Sequence, residues 1–310
     1  MRTGLYDTTG FYRRNSPAAH FRTSAQIPLF ADAIATLIRR VDAALGHPST
    51  FTVVDMGAGN GELLTGLVRI APLNGRLKPV AVDIRGRPES LDPSIRWCDE
   101  PPTGFTGVLL ACEWLDNVPC DIVEETENGP RYQLVSPRTG ETTLGGPLSE
   151  LDRDWLDRRW RLEHIGDQAE IGRPRDEAWR ELTSRLDNGL ALAVDYGHRR
   201  HERPQWSTVA GYVDGRRVSA TPDGNRDITA DVAMDSLGPG VLLRQRDALA
   251  ALGVSASRPP LDVARTDPAA YLRRLSGTGD AAELMDRNGL GGHWWLTRGM
   301  GIADDVWAAP

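Results

Sequence analysis

The chain has almost no lysine: of its 36 basic residues, Lys78 alone is not arginine. That skew reads as a mark of coding composition more than of function. Acidic residues outnumber basic ones at 43, and the net charge of −7 argues against general binding to nucleic acid or anionic membranes. Cysteine is scarce too. Cys98, Cys112 and Cys120 form no CxxC pair and leave one odd, which excludes a disulfide framework and implies a reducing, cytoplasmic setting. No apolar run approaches the roughly 18 to 20 residues of a membrane span, and residues 1–26 hold no apolar core of signal-peptide length. The six histidines show no metal spacing, and His198 and His201, beside Arg199 and Arg200, read as a solvated polar loop. Internal repeats and long low-complexity linkers are also missing. What is present is globular. At 310 residues, 40% apolar and 25% charged, the chain can bury roughly 75% of its unfolded surface without metal or disulfides.

Residues 1–26 are polar, aromatic and glycine-bearing and read as irregular chain. From Leu29 the apolar residues Phe30, Ile34, Leu37, Ile38, Val41 and Leu45 recur at helical spacing until Gly46 and Pro48. Phe51 to Val54 reads as a buried strand, leading into Asp55-Met56-Gly57-Ala58-Gly59-Asn60-Gly61 and then a helix whose Leu63, Leu64, Leu67 and Val68 share one face. Strands are predicted over Pro79 to Asp83, ending near Trp97, and over Gly107 to Cys112. Strand, glycine turn, helix and strand open an α/β sheet. The alternation then breaks. Asp121 to Thr126 and Arg131 to Val135 flank an Asn128-Gly129 hairpin turn, and Leu151 to Leu162 reads as a helix. A further helix from Pro174 is expected to stop at Asn188-Gly189, before a core strand over Leu190 to Asp195. Residues 118–173 therefore read as an insertion between strands four and five. A loop-rich stretch follows to about Asp231, then a helix over Gln245 to Leu252 and a late strand at His293 to Leu296. Trp155, Trp160 and Trp179 fall on helices and read as packing residues.

The glycine loop separates two cofactor classes. A dinucleotide site needs GxGxxG, whose third glycine would fall at Glu62; here the spacing is GxGxG, with Asp55 ahead of it. That spacing resembles motif I of the class I S-adenosylmethionine-dependent methyltransferases, in which small residues admit the amino-acid and ribose parts of the cofactor. Asp83 ends the second strand, where a carboxylate accepts ribose hydroxyls; it suits NAD equally well.

Further segments resemble the MidA-type methyltransferases, a family that includes the mitochondrial complex I assembly factor acting on a protein arginine. The likeness runs through Leu5-Tyr6-Asp7 with Gly10-Phe11-Tyr12, His20-Phe21-Arg22-Thr23-Ser24 with Leu29-Phe30, Asp55 to Gly61, and Cys112-Glu113-Trp114-Leu115-Asp116-Asn117. It continues through Ala193-Val194-Asp195-Tyr196-Gly197, Asp227 to Val232, and Gln245-Arg246. Two residues depart from the family pattern: Cys112 stands where Asn is usual and Asp231 where His is usual. The resemblance implies a Rossmann-like methyltransferase core over 51–117 and 174–310, an N-terminal cap over 1–50 and the insertion over 118–173. It also implies S-adenosylmethionine as cofactor and a protein substrate, such as a respiratory complex subunit.

The expected cofactor residues are Asp55, Gly57, Gly59, Gly61 and Asp83. Asp99 joins them, after the third strand where relatives bind the adenine amino group, as does Thr23 in a closing segment. The expected catalytic residues are Glu113, Asp116 and Asp195. Glu113 and Asp116 sit just past the fourth strand, where open α/β sheets place ligands, and carboxylates can grip a guanidinium while leaving one nitrogen free. Helix capping is the rival role for Asp116, and a local turn for Asp195. His20 could act as a base. A cysteine nucleophile at Cys112 has no evident histidine partner in its motif. A metabolite or peptide acceptor, and a non-catalytic assembly factor, remain open beside the protein-arginine reading; no nucleic acid or membrane insertion is expected.

Overall fold

The computed structural model describes residues 1–14, 22–257 and 261–307, so His20 lies outside the described residues. The first segment is not irregular. It forms two short helices, α1 (Arg2–Tyr6) and α2 (Phe11–Arg14), because Leu5, Phe11 and Tyr12 bury together against Ile228. Pro28 then opens α3 (Pro28–Ala44) at a position where its missing N–H costs nothing. The central unit follows as β1 (Phe51–Met56), α4 (Glu62–Ile70), β2 (Leu77–Val82), β3 (Arg96–Cys98) and β4 (Phe105–Cys112).

The chain next leaves the sheet. It forms β5 (Ile122–Glu124), β6 (Arg131–Val135), β7 (Thr142–Pro147), α5 (Glu150–Arg159) and β8 (Gln168–Glu170). These strands make a separate four-stranded antiparallel sheet in the order β7-β6-β5-β8. Trp155 and Trp160 pack it against Val123, Ala169 and Ile171. α6 (Arg173–Thr183) returns the chain to the central sheet at β9 (Leu186–Asp195).

α6 ends earlier than the Asn188-Gly189 signal implied. Gly189 lies inside β9, where a Cβ would sit 1.8 Å from the carbonyl oxygen of Gly107 on β4. The glycine marks close strand contact rather than a helix stop.

The stretch read as loop-rich carries β10 (Gly197–His198), β11 (Ala210–Val213), β12 (Arg216–Val218), β13 (Asp227–Thr229) and β14 (Val232–Ala233). The chain closes with β15 (Val241–Arg244), α7 (Gln245–Ala251), α8 (Leu261–Thr266), α9 (Pro268–Met285) and β16 (Trp294–Met300).

The seven-stranded sheet runs β15-β16-β9-β4-β1-β2-β3, with β16 antiparallel to both neighbours. This is a Rossmann-like α/β fold with helices on both faces. On one face α3, α4, α7 and α9 bury Ile34, Leu63, Leu249 and Leu284 around Trp295. On the other, Trp179 and Leu182 of α6 meet Leu109, Ala191 and Met234. Chain order reverses between β1 and β4, so a crevice opens at their C-terminal ends. Among the described residues no helix is long and apolar enough to cross a membrane.

Candidate active site

The crevice is a cavity of about 400 Å³ lined from three directions. Its sheet wall comes from the turns after β1, β2 and β4; its roof comes from Tyr6, Tyr12 and residues 22–26, and its far end from β13 and the segment before β16. Gly57 and Gly59 adopt left-handed backbone, with φ of 73° and 63°. A Cβ on Gly57 would stand 3.0 Å from the Trp114 ring. The loop is held by the sheet, as Val82 O accepts the Gly57 and Ala58 N–H groups at 2.9 and 3.1 Å.

Asp83 Oδ2 accepts the Gly59 N–H at 3.0 Å, and its Oδ1 accepts the Arg85 N–H at 2.9 Å. Asp99 and Thr23 line the same end. Thr23 also opens a short 3₁₀ turn, its N–H facing Gln26 Oε1 at 3.4 Å.

Two expected cofactor residues lie off the cavity wall. Gly61 caps α4, and a Cβ there would fall 2.5 Å from Leu91, so its smallness serves packing. Asp55 is buried in β1, and loss of water raises its carboxyl to about 7.

Further carboxylates line the cavity. Glu113 holds a left-handed φ of 51°, rare for a side chain of this size and typical of functional turns. The Ser24 N–H donates to its Oε1 at 2.9 Å, and burial raises its carboxyl to about 8. Asp116 is 4% exposed. The Tyr196 hydroxyl donates to its Oδ2, as does Thr229 Oγ1 at 2.6 Å. Its Oδ1 is buried with no hydrogen-bond partner among the described residues. Burial pushes the Asp116 carboxyl up, against the pull of these two hydroxyls.

Asp195 does not line the cavity. Its Oδ2 accepts the N–H groups of Leu115 and Asp116 at 3.0 and 3.1 Å, which makes it a positioning group behind Asp116. Tyr196 is the member of that motif that reaches the cavity.

The structure adds residues that motif spacing alone does not single out. Asp227 lines the far end and accepts from the Tyr12 hydroxyl at 2.7 Å; burial raises its carboxyl to about 7. The Tyr6 hydroxyl donates to Asn117 O at 3.0 Å. Gln245 Nε2 donates to Ser24 Oγ at 3.1 Å, while its Oε1 accepts from Trp295 Nε1, pinning the roof to the sheet. Arg175 is fully buried and donates to the carbonyls of Asp116, Val118 and Asp231, bracing the acidic loop from behind.

Cys112 lines the cavity, and burial pushes its thiol well above the usual range, so it stays protonated. His198 is not solvated: it is 4% exposed, packs edge-on to Trp160, and burial lowers its pKa to about 3. No group of metal-ligating side chains occurs among the described residues.

Residues 73–241 match the model of a family described as "Putative S-adenosyl-L-methionine-dependent methyltransferase". That is more than half of the chain, and the chain belongs to this family. No curated protein matches it. The fold is similar to that of a Burkholderia thailandensis protein crystallised with S-adenosyl-homocysteine. That likeness has a TM-score of 0.78 and 22% identity, over 99% of this chain and 88% of the other. A native crystal structure of an uncharacterized protein of the same superfamily and organism matches with a TM-score of 0.78 and 21% identity. It spans 98% of this chain and 87% of the other.

The cofactor is S-adenosylmethionine, and the cavity suits it. Gly57 and Gly59 leave room a Cβ would fill, the carboxylates of Asp83 and Asp99 line the same wall, and the volume lies in the range of small-molecule sites.

Proposed function

We propose that this methyltransferase acts on a protein arginine side chain. The observation that carries the acceptor class is the acidic far end of the cavity, where Glu113, Asp116 and Asp227 converge and Asp116 Oδ1 lacks a partner. A buried acceptor oxygen without a donor costs free energy until a ligand supplies one, and a guanidinium presents five N–H donors.

Gly57, Gly59, Asp83 and Asp99 would hold the cofactor, with Thr23 in the covering segment. The bound cofactor supplies an electrophilic methyl group on a sulfonium sulfur. Glu113 and Asp116 orient the guanidinium by charge-assisted hydrogen bonds, leaving one nitrogen aimed at that methyl. Asp195 and Arg175 fix the Asp116 loop from behind. Glu113, titrating at about 8, is matched to take the proton the acceptor nitrogen sheds. Arrival of a cation favours the charged carboxylates, so acceptor binding and proton release are linked.

A metabolite or peptide acceptor is the second reading, and Cys112 favours it. This departure from the family pattern lines the cavity, whereas Asp231 does not.

The test is transfer of labelled methyl from S-adenosylmethionine into lysate of the source organism, split into precipitated protein and soluble metabolites. Label in a discrete protein band that digests to methylarginine supports the proposal. Label confined to the soluble fraction overturns it in favour of the second reading.

A further inference from the structure

A second cleft of about 570 Å³ lies behind the acidic end of the cavity. It is lined by Asp231, Glu283, Asp286, Asn288 and the flanking arginines Arg244 and Arg287. Tyr196, Leu290 and His293 line both spaces, so the two meet at these residues. The cofactor residues Gly57, Gly59, Asp83 and Asp99 line only the first.

We infer that the acceptor enters through this second cleft, as a cationic side chain on a polypeptide that stays outside, passing Tyr196 and His293 to reach Asp116. The inference rests on the arginine reading above.

Stereochemistry supplies the first argument. Displacement at a sulfonium methyl is in line, so the nucleophile must approach from the side away from sulfur. A passage that reaches Asp116 without crossing the glycine loop meets that requirement. The roof restricts the other approach: the Ser24 N–H is bonded to Glu113, and Arg22 pairs with Glu283 at 2.5 Å.

The lining chemistry supplies the second argument. His293 is 8% exposed, and its Nδ1 is buried without a partner among the described residues. Burial lowers its pKa to about 4, so the ring is neutral and carries a free acceptor. Asp116 Oδ1, in the same condition, lies beyond it. Asp231 and Asp286 precede it, beside Glu283, which Arg22 holds. The route is thus a succession of acceptors, suited to a donor-rich cation.

Arg244 does not reverse that character. Its guanidinium stacks 3.6 Å from the Trp294 ring centroid and donates to Gly292 O and Glu202. Arg287 sits exposed on the cleft.

Two variants test the route, Asn288→Trp to obstruct the cleft and Asp231→Lys to reverse its charge. S-adenosyl-homocysteine affinity is measured by calorimetry, folding by thermal melting, and labelled methyl incorporation into lysate protein against lysate concentration. The expected result is folded protein with cofactor affinity within about twofold of wild type and incorporation reduced at least tenfold. Incorporation equal to wild type in both folded variants overturns the route, as does a parallel loss of cofactor affinity. If the wild-type protein labels no protein at all, the arginine reading fails and the route falls with it.

Discussion

Replacing Asp227 by asparagine keeps the shape of the side chain and an oxygen for the Tyr12 hydroxyl, while removing a carboxyl that the fold holds under strain. Asp227 is 4% exposed, and burial raises its pKa from 3.8 to about 7. Between these values the folded state keeps a proton that the unfolded state has lost, so stability falls as pH rises from about 4 to about 7. At roughly 1.4 kcal/mol per pH unit, the wild-type penalty is roughly 2 kcal/mol at pH 5 and roughly 4 kcal/mol above pH 8, both as ceilings. The asparagine variant lacks this term. Its stability advantage should therefore widen by roughly 2 to 3 kcal/mol between pH 5 and pH 8.5. At about 2 °C per kcal/mol for a chain of this size, the gap between the two melting temperatures grows by about 5 °C. Thermal unfolding of both proteins at the two pH values, without cofactor, measures it. A gap that does not change with pH would refute the argument that Asp227 is a buried acid held protonated.

Further outcomes follow from the same geometry. Glu113→Gln should bind S-adenosyl-homocysteine normally and lose most methyl transfer, and the wild-type rate should rise with pH toward the Glu113 value of about 8; kinetics between pH 6 and 9 check both. Gly59→Val forces a branched side chain into a left-handed turn at the cavity wall, and calorimetry should show cofactor affinity reduced more than tenfold. Asp195→Ala removes the acceptor for the Leu115 and Asp116 N–H groups, so kcat should fall while the cofactor dissociation constant holds. Arg175→Met strips three buried carbonyls of their donor, and denaturant unfolding should show a loss of about 3 kcal/mol or more.

The glycine-loop wall of the cavity was legible because it is local. A β-branched run, three closely spaced glycines and an acid at the end of the next strand follow one another within about one crossover, and together they define the turn, the helix start and the acid that bonds the glycine loop. The fold class followed from the same alternation. Glu113 and Asp116 were legible for a similar reason, since a strand end fixes where the next few side chains go.

The rest depends on contacts that no window of sequence contains. Asp227 and Tyr12 meet across 215 positions, and Ser24 and Gln245 across 221. His293 stood in a predicted strand with no sign that it faced a cavity. Gly61 and Asp55 belong to the glycine-loop segment by spacing, yet they pack behind it, because a loop has an inner side that spacing does not distinguish. Gly189 misled for the opposite reason: Asn-Gly ends helices when nothing presses on it, and here β4 does.

The roof over the cavity has a consequence for how the molecule is made. Tyr12 and Ser24 are synthesised long before the groups that hold them, since Tyr12 must wait for Asp227 and Ser24 for Gln245. At about 5 to 20 residues per second, that wait lasts roughly 10 to 40 seconds. Throughout it Leu5, Phe11 and Tyr12, which end up buried, lack Ile228, the distant member of their cluster. The segments that roof the cavity therefore dock only after the rest of the fold has been made, and they finish the site.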